Sequence, residues 1–244
     1  MINATMKVRE VANSLPQAAR VLEKLKIDYC CDGERALGEA CADAGVDMAT
    51  LEQMLAETAA VQSETPDFQS LSLTDLIAHI IDNHHVFTTN EMARLELLTA
   101  KVLTAHGENH PELLAVRSLV RQLFDDLTQH MFKEEQILFP FVIQLEQAAS
   151  QHRPAPFAPF GTVNNPIRMM LMEHDTAGEI LRELRRLTSD YQVPNDACMS
   201  YQTLYQSLEA LERDLHQHIH LENNILFPQA IALEARPVAR LRAS

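Results

Sequence analysis

Two stretches of this chain carry residues whose types and spacing suit metal binding. His130-Met-Phe-Lys-Glu134-Glu-Gln-Ile-Leu-Phe-Pro140 returns 88 residues later as His218-Ile-His-Leu-Glu222-Asn-Asn-Ile-Leu-Phe-Pro228. On a helix, positions i and i+4 share a face, so each His-x-x-x-Glu aims an imidazole and a carboxylate at one point. A single pair of this kind is an ordinary solvated contact. The repeat is different, because the apolar Ile-Leu-Phe could be core but packing does not explain the His and Glu kept beside it. The duplication also extends upstream: His85 precedes His130 by 45 residues, and His174 precedes His218 by 44. Each half therefore reads as a helical hairpin carrying His, then His-x-x-x-Glu.

Imidazole with carboxylate suits iron, manganese or zinc, whereas calcium and magnesium prefer oxygen alone. Four histidines and two glutamates exceed the three or four protein ligands of a mononuclear zinc site, so two metals fit better. If Glu134 and Glu222 each bridge, every metal receives two nitrogens and two oxygens. An oxo or hydroxo bridge adds a fifth contact and leaves one position open for a small ligand. His84, His216 and His220 point away from this centre and are read as surface groups or as groups behind the ligands. Glu135, the counterpart of Asn223, is read as solvated or as standing behind a ligand. Glu173 and Asp175 flank His174 and either accept from its ring or are plain surface acids.

The elements that must position these residues are helices. Residues 8–60 read as three short ones: Ser14-Leu-Pro16 marks a capped start, a second helix runs from about Glu34 to Ala44, and Asp47 caps a third. A turn containing Asp28-Tyr-Cys30-Cys31-Asp32-Gly33 separates the first two. The polar stretch 62–70 reads as a linker between a small domain, 1–62, and a larger one, 71–244. Beyond it come four long helices, about 72–105, 111–145, 166–189 and 197–233, broken at Gly107 with Pro111 and at Tyr191-Gln-Val-Pro194. His85 and His130 each lie roughly 20 residues from their shared turn, which at about 1.5 Å per residue puts both roughly 30 Å from one end. An antiparallel four-helix bundle thus carries its ligands in one layer. The connection 148–165, with Pro154, Pro156, Pro159, Phe157 and Phe160, reads as a disordered crossover or as a flap over the bundle end.

Composition agrees with an all-α protein. There is no Trp and there are only six Gly, while Ala, Leu, Glu and Gln abound. A net charge of −14 argues against a nucleic-acid partner. The N-terminus lacks the apolar core of a signal peptide, and no stretch of about 18 apolar residues exists, so a cytoplasmic protein without a membrane partner is expected. Four cysteines in a chain this large do not make a disulfide framework. Cys30 and Cys31 are adjacent thiols just before a helix, whose dipole would favour thiolate; the alternative is that one packs inside and the other is idle. Cys41 reads as core, and Cys198 carries no signal.

Taken together, His85, His130-x-x-x-Glu134, Glu173-His174-Asp175 and His218-x-x-x-Glu222 with both Ile-Leu-Phe-Pro tails resemble the hemerythrin-like di-iron domain of the Repair of Iron Centers family. Asp28-Tyr-Cys-Cys31 resembles that family's small leading domain, so the likeness covers nearly the whole chain. Asp32 departs from it, because the family commonly runs Cys-Cys-Gly, and the 148–165 connection is longer than usual. The resemblance implies two non-haem iron ions held by His85, His130, Glu134, His174, His218 and Glu222. It further implies a stress-response protein of the cytoplasm that restores iron-sulfur clusters after nitric oxide or peroxide damage. Its partners would be damaged iron-sulfur proteins or cluster-assembly proteins, with nitric oxide or reactive oxygen species as small ligands; a homodimer is left open. Cys30 and Cys31 are then candidates for a transfer role. Two other readings stand beside this one: a hemerythrin-like oxygen or nitric oxide carrier, and a nitric oxide reductase using the metals as a two-electron site. The favoured reading is not a conventional enzyme.

Overall fold

A computed structural model of the chain describes residues 2–14, 18–60 and 67–236. Among them there are eight helices and no strand. Four short ones come first: α1 (Val8–Ser14), α2 (Ala18–Lys24), α3 (Leu37–Asp43) and α4 (Met48–Ala60). The single first helix expected from sequence is seen as α1 and α2 on either side of residues 15–17, so the Leu15-Pro16 part of its expected start lies outside the described residues, as do linker residues 62–66. Asp47 caps α4 as expected, with its carboxylate accepting from the Thr50 backbone N–H at 2.7 Å and from the Thr50 hydroxyl at 3.0 Å. These helices enclose a core of their own built on Val8, Val11, Leu22, Leu37, Cys41 and Leu51.

The remaining four helices are long: α5 (73–106), α6 (112–150), α7 (Asn164–Leu187) and α8 (199–234). Helix α5 packs against α6 and α8, and α6 against α7; α7 meets α8 through Arg185, whose Nε donates to Glu212 at 2.8 Å, which closes the bundle. Three of the four are not regular α-helix throughout. Each contains one wide π turn, at Ile80–His85 in α5, Glu134–Leu138 in α6 and Glu222–Leu226 in α8. Across these turns the Val86, Phe139 and Phe227 N–H groups reach back five residues, to the Ile81, Glu134 and Glu222 carbonyls. The wide turn gives the rings of Pro140 and Pro228 the room that a regular helix denies them. That accounts for the prolines closing both copies of the repeat, a point the regular helices read from the sequence did not contain.

The bundle core is divided into two apolar clusters. One gathers Leu95, Val116, Val120, Leu123, Leu184, Leu204 and Leu208; the other gathers Leu76, Ile80, Phe139, Val142, Ile167, Leu226 and Phe227. Every helix passes from one cluster to the other at its His or Glu residues, so those polar groups form a layer walled by hydrocarbon above and below. The 148–165 connection is anchored across one end: Phe160 meets Phe141 edge-on at 4.9 Å, and the Val163 N–H donates to Glu234 at 3.0 Å. Phe157 on the same connection stands exposed. No helix among the described residues is long and apolar enough to cross a membrane.

Candidate metal centre

Helices α5 to α8 bring all six residues of the sequence pattern into the polar layer, and each is buried: His85, His130, Glu134, His174, His218 and Glu222. They sort into two pockets that share both glutamates. One holds His85, His218, Glu134 and Glu222; the other holds His130, His174, Glu134 and Glu222. Glu134 Oε2 lies 3.4 Å from His85 Nε2, and its Oε1 lies 3.3 Å from His130 Nε2. Glu222 mirrors this, with Oε1 at 3.0 Å from His218 Nε2 and Oε2 at 3.2 Å from His174 Nε2. The imidazoles face each other in pairs, His85 Nε2 to His218 Nε2 at 3.2 Å and His130 Nε2 to His174 Nε2 at 3.0 Å. With bonds of about 2.1 Å, neighbouring ligand atoms around an ion stand roughly 3.0 to 3.4 Å apart. The observed separations fall in that interval.

The protonation chemistry of the donors also fits cations. Nδ1 of His85 lies 2.7 Å from Glu135 Oε1, that of His130 2.9 Å from Glu173 Oε2, and that of His174 2.8 Å from Asn223 Oδ1. Each of these oxygens accepts, so the proton of the neutral ring sits on Nδ1 and the lone pair of Nε2 faces the pocket. Facing lone pairs repel unless a proton or a metal stands between them. Both Glu134 oxygens and Glu222 Oε2 are buried without a hydrogen-bond partner among the described residues, which is costly for a carboxylate unless a cation meets it. In the absence of metal the site gathers protons instead. Burial opposes charge on the His130 ring, but the Glu134 carboxylate outweighs it and raises the pKa to about 10. Burial likewise pushes Glu222 up, and the His218 and His174 rings outweigh it and hold the carboxyl well below its usual range.

Several residues behind the pocket side chains take roles the sequence left open or assigned elsewhere. Glu173 accepts from His130 rather than from its neighbour His174, and Lys133 pairs with the same carboxylate. Asp175 is exposed. Glu135 and its counterpart Asn223 each hold a histidine of the preceding helix, His85 and His174. That both follow a pocket glutamate by one residue, and both can accept, was the available signal. His84 and His220 are buried rather than on the surface. His84 stacks on His218 with ring centroids 5.5 Å apart and meets Asp214 at 3.0 Å, while His220 lies under Tyr29. His216 is half-buried and pairs with Glu23 of α2 at 2.9 Å.

Cys30 and Cys31 sit on the α2–α3 turn of the small domain, where it meets the bundle. Asn223 and Asn224 of α8 donate to the Cys30 and Tyr29 carbonyls at 3.1 and 3.0 Å, and Cys31 Sγ lies 3.8 Å from the His174 carbonyl. The sequence placed these thiols at a helix start, but α3 begins only at Leu37. The Asp28 carboxylate closes the turn instead, with Oδ1 accepting from the Cys30, Cys31 and Asp32 N–H groups. The hydrogen bond with Cys31, burial and the charge of Asp28 all push the Cys30 thiol up, so the helix-dipole argument for a thiolate does not apply. Cys41 is in the core as expected.

A cavity of about 20 Å³ reaches the pockets from the side, touching His130, His174 and His218 between the apolar walls Leu127, Ala177, Leu215 and Ile219. That is room for one or two heavy atoms. A four-helix bundle whose central layer presents two His₂Glu₂ pockets, bridged by both carboxylates and approached by a small apolar cavity, defines a cation-binding bundle protein. Residues 76–230 match the model of the hemerythrin HHE cation binding domain, and residues 4–59 match a domain of unknown function, DUF542. A probable iron-sulfur cluster repair protein of Haemophilus influenzae is 33% identical over 230 residues, 93% of this chain and 97% of that one. The iron-sulfur cluster repair protein YtfE of Escherichia coli is 34% identical over 225 residues, 92% of this chain and 96% of that one. The chain belongs to the hemerythrin HHE family, in the two-domain form that it shares with these iron-sulfur cluster repair proteins.

Proposed function

We propose that the protein binds two iron ions, one in each His₂Glu₂ pocket, and serves the repair of iron-sulfur clusters damaged by nitric oxide or reactive oxygen species in the cytoplasm. The observation that carries this is the sharing of Glu134 and Glu222 between pockets, together with likeness over nearly the full chain to proteins named for cluster repair. A pair of bound irons supplies reversible electron transfer and an affinity for nitric oxide or oxygen. The chain's own part is to hold the ions and control access. Nδ1 contacts to Glu135, Glu173 and Asn223 fix the ring orientation, the two hydrocarbon clusters exclude bulk water, and the lateral cavity admits only a very small molecule. The partners are damaged iron-sulfur proteins or their assembly proteins, with Cys30 and Cys31 as candidate transfer groups.

The test is metal analysis of anaerobically purified protein, followed by incubation with an iron-sulfur enzyme inactivated by nitric oxide. Two irons per chain and recovery of the target's activity are expected. A single tightly held ion, or no recovery with a fully loaded protein, overturns the reading. The small apolar cavity also favours a carrier or reductase for nitric oxide. Anaerobic addition of nitric oxide separates these: sustained nitrous oxide formation marks the reductase, and a stable adduct without recovery of the target marks the carrier.

A further inference from the structure

The turn between α2 and α3 holds a second kind of metal-ligand set, distinct from the bundle pockets. Cys30 Sγ lies 3.7 Å from Cys31 Sγ and 3.3 Å from Asp28 Oδ1, and the three side chains offer ligand atoms within 4.8 Å of one another. Around a tetrahedral ion with bonds to sulfur of about 2.3 Å and to oxygen of about 2.1 Å, sulfurs stand roughly 3.8 Å apart and sulfur and oxygen roughly 3.6 Å. The observed distances are close to these before any ion pulls the groups together.

The three groups also open on a space where an ion and its fourth ligand can sit. A cavity of about 170 Å³ is lined by Asp28, Cys30 and Cys31 on one side and by Gly178, Arg182 and His216 on the other. Gly178 lies one turn beyond His174, and a side-chain carbon there would stand 3.5 Å from Cys31 Sγ. The backbone turn does not depend on the carboxylate's charge, because its three N–H contacts use Oδ1 as an acceptor that an amide supplies equally well. The placement is also informative. Asn223 accepts from the ring of His174 through Oδ1 and donates to the Cys30 carbonyl through Nδ2, so one side chain joins the turn to a bundle pocket.

We propose that Asp28, Cys30 and Cys31 form an outer site for one thiophilic divalent cation, separate from the two bundle pockets and open to exchange through the adjoining cavity. Two thiolates and a carboxylate are a soft donor set, suited to zinc, cobalt or ferrous iron and unsuited to magnesium or calcium. Binding releases the two thiol protons as both metal–sulfur bonds form, leaving the donor set with a charge of −3 against the ion's +2 and the Arg182 guanidinium 3.7 Å from Asp28 Oδ2. The fourth position, facing the cavity, is where an incoming thiol or water exchanges. This outer site shares no residue with the bundle pockets and so does not depend on which metals they hold.

The experiment uses the full-length protein with its bundle pockets already filled, titrated anaerobically with Co²⁺. One additional cobalt per chain, a thiolate-to-cobalt charge-transfer absorption, and protection of both Cys30 and Cys31 from alkylation are expected. A Cys30→Ser, Cys31→Ser double variant should lose the additional cobalt and the charge-transfer absorption while keeping its bundle metal content. Asp28→Asn should fold normally and bind cobalt at least tenfold more weakly, and Cys198→Ser should behave as wild type. No charge-transfer absorption in the wild type, its persistence in the double cysteine variant, or unchanged affinity in Asp28→Asn overturns the three-ligand site.

Discussion

Glu134→Gln should empty both bundle pockets, whereas His85→Ala should disable one. The geometry sets this asymmetry, since Glu134 Oε2 is 3.4 Å from the ring of His85 and Oε1 is 3.3 Å from that of His130. An ion in either pocket therefore loses a charged oxygen when the carboxylate becomes an amide. At an effective dielectric of about 20, one unit of charge about 4 Å from another is worth roughly 4 kcal/mol. At 1.4 kcal/mol per decade that is about a thousandfold in affinity, and it applies to both pockets. Glu135→Gln is the matched control one residue away: the amide oxygen can still accept from His85 Nδ1, so the loss should be about tenfold and confined to one pocket. Competition of Fe²⁺ against a chromophoric chelator, with metal content after gel filtration and helicity by circular dichroism, reads all three variants. If Glu134→Gln retains one ion at wild-type affinity, the carboxylate serves a single pocket and the bridging argument fails.

The metal-free protein should bind metal more tightly as pH rises, because His130, with its pKa raised to about 10 by Glu134, must first shed a proton. A raised pKa stabilises the metal-free fold fully below the unfolded value of about 6.5 and progressively less as pH climbs toward 10. The melting temperatures of loaded and metal-free protein should therefore diverge between pH 7 and 9, and a constant gap would contradict the linkage. Cys198 is exposed, and the His106 ring 3.2 Å away lowers its pKa to about 7. It should be the first cysteine alkylated at neutral pH and buried Cys41 the last, with His106→Ala slowing Cys198, as peptide mass spectrometry would show. Residues 67–244 should fold alone and keep both pockets, since the small domain has a separate core; loss of metal from that fragment would show that the turn at Tyr29–Cys30 holds α8 in place.

The bundle and its six pocket residues were legible because the repeat states them twice. His-x-x-x-Glu with a fixed apolar tail specifies a helix face, and the equal spacing back to His85 and His174 specifies its depth. The π turns were not legible. Hydrophobic periodicity over a long segment averages across a single wide turn, and the one local trace was a proline, Pro140 or Pro228, inside an otherwise helical pattern. In α5 even that trace is missing, and the Ile80–His85 turn has no proline beside it. The small domain was read with one helix too few for a related reason: Val11, Ala18, Leu22 and Leu25 keep helical spacing from α1 into α2, and spacing alone does not separate the two.

The groups behind the pocket side chains were harder to read because they come from other helices. Donor identity follows from one helix, but which acceptor meets a ring depends on how two helices are rotated against each other. Glu173 looked like a partner for adjacent His174 and instead serves His130 across the α6–α7 contact. The result is an asymmetry that the repeat conceals. In the pocket of His130 and His174 both Nδ1 atoms have acceptors, Glu173 and Asn223. In the other pocket, among the described residues, only His85 has one, Glu135, while His218 Nδ1 is buried without a partner and its ring stacks on His84. An accepting oxygen behind a ring makes its nitrogen a stronger donor, so two pockets with the same side-chain types are electronically unequal. The better-supported one adjoins both the small apolar cavity and, through Asn223, the cysteine turn. Duplication thus supplied matched donors, and divergence of the residues behind them separated the two positions.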